Sequence, residues 1–176
     1  MPTALPTNVS ETDTARSILA PFCNGIGLDM GFGGSSITPT ALTFDMAQPY
    51  TNVGGDRQVL RGDARRLPFV CNEALDFIHS SHLLEDFHYD ELVNIITEWR
   101  RCLRTGGVLV TNCPDQQKFL SHCATTGQGV NLAHKEQDFS LSNFKSRVLS
   151  RTGPWTPVFE EPNHGPYSWL LVIAKA

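Results

Sequence analysis

The tightest constraint on this chain lies in residues 25–50. Ile26, Leu28 and Met30 alternate as a strand does, and the strand ends near Asp29, just before the glycine-rich turn Gly31-Phe32-Gly33-Gly34. Glycines at the end of a strand let backbone amides approach a ligand, because no Cβ stands in the way. A second strand over residues 41–44 leads to Asp45. A carboxylate at that tip can accept hydrogen bonds from both hydroxyls of a ribose. Together these features predict an α/β sheet that binds a nucleoside-containing cofactor.

The connection between the two strands is unusually short. Parallel neighbours normally need a crossover of a dozen or more residues, most often a helix. Here Pro39 leaves room for at most one helical turn around residues 35–38. Residues 34–40, extended at ~3.3 Å each, still reach roughly 23 Å, against about 17 Å for a five-residue strand. The first crossover helix is therefore expected to be short or absent.

The length of 176 residues suits one domain over residues 1–176, with residues 1–13 expected to form a loose arm. A net charge of −4 without a long single-sign run argues against nucleic acid as the main partner. The arginine groups at 57–66 and 100–104 read as solvated faces. Five cysteines without a C-x-x-C pair read as reduced thiols rather than a disulfide framework or a zinc site. No secretory signal is expected from the N-terminal residues, and the apolar run at residues 169–174 is too short to span a bilayer. The expectation is a soluble cytoplasmic protein with no membrane partner.

Along the chain, Asp13 or Thr14 can cap a helix through Ala20 that Pro21 stops. Residues 58–61 read as a third strand, and 74–79 as a strand covered on both faces. Residues 89–104 are the clearest helix, with Leu92, Ile95, Ile96, Trp99, Cys102 and Leu103 at helical spacing and Gly106 placed as a C-terminal cap. A strand over 108–112 follows. Residues 114–138 carry no strong period and read as a lid or substrate loop. Ser140 can cap a helix to about Ser150, and residues 155–159 and 168–175 form a closing hairpin. The fold class is α/β: a Rossmann-like, mostly parallel sheet with helices on both faces and a C-terminal antiparallel hairpin.

Taken alone, Gly31-Phe32-Gly33 is a weak signal, since Ser36 stands where a dinucleotide fingerprint wants its third glycine. The order Asp29-x-Gly31-x-Gly33, then Asp45, then Gly62-Asp63-Ala64, then Asp76 in an apolar strand is far more specific. It resembles the class I S-adenosylmethionine-dependent methyltransferases, most closely the compact bacterial type-11-like branch with an L-D-x-G-x-G-G turn. Further matches are residues 66–69, 80–85 and 98–107. The resemblance covers residues 25–115 well and 140–176 loosely; Ser35 stands where the broader family has another glycine.

The resemblance implies S-adenosylmethionine as cofactor and S-adenosylhomocysteine as product. It implies that Gly31, Phe32 and Gly33 line the methionine and ribose portion, and that Asp29 holds the methionine ammonium directly or through water. Asp45 accepts the ribose hydroxyls, with Met46 beside it. Asp63 accepts from the adenine amine, the Ala64 amide donates to the ring, and Ser80 floors the sulfonium. Each residue also has a bland alternative: a turn for Gly31, an Asx-turn for Asp63, a helix cap for Asp45.

Methyl transfer can proceed by alignment alone, and a base is required only for a hydroxyl or a protonated amine. His82 is the first candidate for that base, followed by His134 and Asp115. The histidines of residues 79–88 lack H-E-x-x-H spacing, so no metal is expected. The expected function is methylation of a small-molecule or sugar-type acceptor. The N-terminal arm, the loop after Ser80 and residues 114–138 would contact that acceptor, with a homo-oligomer as a further source of contacts. The alternatives are a catalytically silent protein of the same fold, binding the cofactor or a partner, and, less favoured, a nicotinamide-dependent oxidoreductase.

Overall fold

A computed structural model describes residues 10–47 and 55–176; residues 1–9 of the arm and 48–54 lie outside the described residues. Seven strands form one sheet in the order β3-β2-β1-β4-β5-β7-β6. They are β1 (Gly27–Met30), β2 (Leu42–Asp45), β3 (Leu60–Arg61), β4 (Leu75–Ser81), β5 (Leu103–Pro114), β6 (Trp155–His164) and β7 (Ser168–Lys175). Strands β1 to β5 pair in parallel, whereas β7 runs antiparallel to both β5 and β6. The sheet is the α/β, mostly parallel one expected, closed by a hairpin.

Alternation along the central strands serves two apolar layers. Ile78, Leu109 and Leu171 face the helices α2 (Tyr89–Cys102) and α4 (Leu141–Arg147). Phe77, Val110, Leu170 and Val172 face α1 (Glu11–Leu19) through Ala15 and Leu19. Helix α2 buries Tyr89, Leu92, Ile95, Ile96, Trp99 and Cys102 along one stripe. Gly27 is required where β1 pairs with β4 opposite Phe77, since a Cβ there would stand 2.4 Å from the Phe77 ring.

Four local readings need correction. Residues 10–13 are not an arm, and Ser10 is the cap of α1 rather than Asp13 or Thr14. Ser10 Oγ accepts from the Asp13 amide at 3.1 Å while the Asp13 carboxylate accepts from the Ser10 amide at 3.1 Å, a closed capping box. Gly106 does not cap α2, because the helix ends at Cys102 and Leu103 already pairs with Leu75. Residues 104–107 are instead an irregular excursion before pairing resumes at Phe77–Val108. The tract 114–138 opens with helix α3 (Gln116–Thr126), capped by Asp115, whose carboxylate accepts from the Lys118 amide, and closed by the left-handed Gly127.

Between β1 and β2 the chain makes only turns and bends, so the first crossover has no helix. A polar network does the helix's work of fixing the crossover. The Asp29 carboxylate accepts from the Ile37 amide at 2.7 Å. The Ser35 hydroxyl donates to Asp13 at 2.7 Å, and Arg16 donates to Ser35 Oγ at 2.9 Å and to the Ser36 carbonyl at 2.8 Å. Helix α1 thereby clamps the loop, and Ser35 supplies a hydroxyl that glycine cannot. Among the described residues no helix is long and apolar enough to cross a membrane.

Candidate active site

At the carboxyl ends of β1 to β4, where open α/β sheets bind ligands, lies a cleft of about 960 Å³. Gly31, Phe32, Gly33, Asp45, Met46, Asp63, Ala64 and His82 all line it. Gly31 adopts φ +63°, and a Cβ there would stand 3.0 Å from Leu83. The Gly31 amide donates to the Phe44 carbonyl at 2.8 Å, which pins the turn to the tip of β2. Asp45 is half-buried; its carboxylate accepts from the Met46 amide at 2.7 Å and from the Gly33 amide at 3.3 Å. Gln58 donates to the carbonyls of Asp45, Met46 and Leu60, tying the tips of β2 and β3 together.

Asp63 is exposed at the cleft and accepts from the Arg65 amide at 2.9 Å, an Asx-turn that presents its carboxylate. The neighbouring Ala64 is fixed from below, because the fully buried Trp99 donates from Nε1 to the Ala64 carbonyl at 2.9 Å. Phe44 and Phe69 stack at 5.8 Å beside this end of the cleft.

Asp29 and Ser80 are placed differently. Both are fully buried and neither lines the cleft. The Asp29 carboxylate is engaged by the Ile37 amide and by His79 Nδ1 at 2.6 Å. It organises the loop beneath the site rather than facing a ligand. Asp115 is likewise absent from the lining and serves as the cap of α3.

The other end of the cleft is built from residues far apart in the chain. Glu11 of α1 accepts from the Tyr167 hydroxyl at 2.6 Å, and its backbone carbonyl accepts from Asn112 at 3.1 Å. His82, held at φ +50°, has Nε2 3.1 Å from Ser168 Oγ and 3.7 Å from Glu11, with Nδ1 3.6 Å from Glu85. His134 Nδ1 lies 2.6 Å from Gln116 Oε1, and its Nε2 lies 3.8 Å from Glu85. Phe119 packs against His134 and Tyr167 at ring distances of 4.9 and 5.2 Å.

Burial governs the protonation of this cluster. It pushes the Glu85 carboxyl well up, and it pushes Asp86 up to about 6 against the opposing charge of Lys135. It lowers His82 below its ordinary 6.5 despite the carboxylate of Glu11, and it takes His134 down to about 4. At neutral pH both imidazoles are therefore neutral and able to take a proton. Glu11, Glu85, Phe119 and Tyr167 were not singled out from sequence as site residues. Only Glu85 carried a signal, as the last residue of the stretch after the fourth strand.

A mostly parallel sheet in this strand order, with a reversed β7 and a glycine turn beside the Asp45-tipped β2, is the Rossmann-like methyltransferase fold. Residues 28–111 match the family model described as a methyltransferase domain. A protein from Pyrococcus horikoshii OT3 superposes with a TM-score of 0.70 at 18% identity, covering 93% of this chain and 89% of that one. A SAM-dependent methyltransferase from Archaeoglobus fulgidus gives 0.69 at 14% identity over 93% and 94%. A SAM-dependent methyltransferase from Methanosarcina mazei gives 0.60 at 13% over 87% and 93%. At such identities the likeness is one of fold. No curated protein matches the chain. The family match over residues 28–111, together with this fold, supports a class I S-adenosylmethionine-dependent methyltransferase with S-adenosylmethionine as its cofactor.

Proposed function

We propose that the cleft holds S-adenosylmethionine at its Asp45 end and a small-molecule or sugar-type acceptor at its His82 end. The observation that carries this reading is that Asp45, Asp63 and the Gly31–Gly33 turn line one cleft with His82. The residues present fit the cofactor, since the left-handed turn at Gly31, tight against Leu83, favours glycine and Asp45 presents a carboxylate at the strand tip. Asp45 accepts the ribose hydroxyls, Asp63 and Ala64 read the adenine, and Met46 covers the nucleoside. Gly31, Phe32 and Gly33 carry the methionine side; Asp29 acts through the loop it holds, and Ser80 supports the strand beneath.

S-adenosylmethionine supplies a methyl group on a sulfonium, and its transfer leaves S-adenosylhomocysteine. The protein aligns the acceptor, excludes water and, for an acceptor that carries a proton, receives it on neutral His82. Isothermal titration with S-adenosylhomocysteine tests the assignment. Asp45→Ala should weaken binding at least tenfold, as expected for losing two hydrogen bonds to a charged acceptor. Unchanged affinity in this variant would mean that the ribose lies elsewhere.

A further inference from the structure

One end of the cleft is walled by carboxyl groups, and among the described residues no lysine or arginine is paired with Glu11 or Glu85. Glu11, Glu85 and Asp86 line it, and the charges of Asp86 and Glu11 both act on Glu85. Glu85 is 1% exposed, and its Oε2 has no hydrogen-bond partner among the described residues; the same is true of Asp86 Oδ1. The arginines that line the cleft, Arg61 and Arg65, belong to the end of β3 and the turn after it, and Arg65 is paired with Asp63 and Glu91. Lys135 acts on Asp86 but does not line the cleft. Burial holds Glu85 protonated in the free protein, and a cation beside its unpartnered Oε2 favours the carboxylate form.

We propose that the acceptor is an amine, which enters as its ammonium ion among Glu11, Glu85 and Asp86 and is methylated on nitrogen. This rests on the cofactor reading above. His82 stands between two of these carboxyls, 3.7 Å from Glu11 and 3.6 Å from Glu85. The ammonium gives one proton to His82, and the carboxyls stabilise the imidazolium that forms. The freed lone pair then makes the N–C bond as the C–S bond breaks, its electron pair staying on sulfur. A hydroxyl acceptor would instead develop negative charge beside Glu11 and Asp86, which like-charge repulsion opposes, and it offers no cation to Glu85. An acidic acceptor meets the same repulsion on entry. Phe119 and Tyr167 offer apolar faces for the carbon skeleton of the amine.

The test uses the full chain saturated with S-adenosylhomocysteine at pH 7.5, with benzylamine, benzyl alcohol and benzoate as probes. All three carry the same ring and differ in charge. Benzylamine should raise the unfolding midpoint and the other two should not. The calorimetric Kd for benzylamine should rise at least tenfold in Glu85→Gln. Glu11→Gln should show the same loss, and it keeps the experiment decisive if the buried substitution does not fold. Equal shifts with all three probes, a preference for the alcohol or the acid, or no shift with benzylamine overturns the amine assignment. Failure of S-adenosylhomocysteine itself to stabilise the protein overturns the cofactor reading instead, so the two failures are distinct.

Discussion

Asp13→Asn removes one negative charge from the network that replaces the first crossover helix. Burial pushes the Asp13 carboxyl up, but hydrogen bonds from Ser35, Ser10 and Arg16 together outweigh it and hold it at about 2, against an ordinary 3.8. That lowering corresponds to about 2.4 kcal/mol of stability at neutral pH. The side chain is 29% exposed, and solvent screening reduces the figure to about 1–2 kcal/mol. Asparagine can still accept from the Ser10 amide, so the cap of α1 survives and the loss belongs to the charge. A carboxyl lowered in the folded state stabilises above its unfolded value and loses that contribution as pH falls toward its folded value. Urea unfolding of both proteins should therefore show a full gap at pH 7 that shrinks to about half by pH 3. In thermal scans at pH 7 the variant should melt roughly 2–8 °C lower. A gap that is the same at pH 7 and pH 3, or no gap at pH 7, would refute the account of the loop clamp.

Two further outcomes follow from the cleft. His82→Asn should lower kcat by about 10²–10⁴-fold while keeping the stabilisation by S-adenosylhomocysteine. In the wild type the rate should rise with pH through a folded-state value below 6.5 and then level off, because burial holds the imidazole neutral; an unchanged kcat in the variant would remove His82 from proton transfer. Trp99→Phe deletes the bond to the Ala64 carbonyl and should destabilise by about 1–2 kcal/mol in urea, with weaker S-adenosylhomocysteine binding in calorimetry. Unchanged stability and binding would show that Ala64 does not depend on its anchor.

Elements whose apolar residues pack on the sheet or against its faces, a single stripe in a helix or a continuous run in a central strand, were legible from pattern alone. Helix α2 and the strands β1, β4 and β7 are of this kind, and the helix-free crossover followed from chain length and Pro39. Helix α3 was hidden because only Gln116, Phe119 and Cys123 are buried, and Phe119 packs on Tyr167 at the cleft instead of on the sheet. Gly106 was misread because its left-handed backbone serves an excursion of β5 that only the pairing with β4 reveals. Asp29 marked the right loop, yet sequence could not show that its carboxylate turns inward to Ile37 and His79. The residues proposed for the nucleoside, Gly31 to Gly33, Asp45 and Asp63, follow one another within a short stretch, so a motif could single them out. The acceptor end draws Glu11, Glu85, His134 and Tyr167 from four separate segments, and no spacing announces such a meeting.

The hydrogen bond from Tyr167 to Glu11 sets the order in which the two ends of the cleft can form. It closes a loop of 156 residues, whereas the Ser35–Asp13 bond that fixes the glycine turn closes one of 22. On chain entropy alone the longer closure is harder by about 1.7 kcal/mol. During synthesis, Glu11 leaves the ribosome long before Tyr167 exists. The His82 end of the cleft is thus among the last features to assemble, and it is finished only once the C-terminal hairpin has joined the sheet. A chain cut short before Tyr167 would lose the hydroxyl that holds Glu11 and the Ser168 contact to His82, whatever its nucleoside end retained.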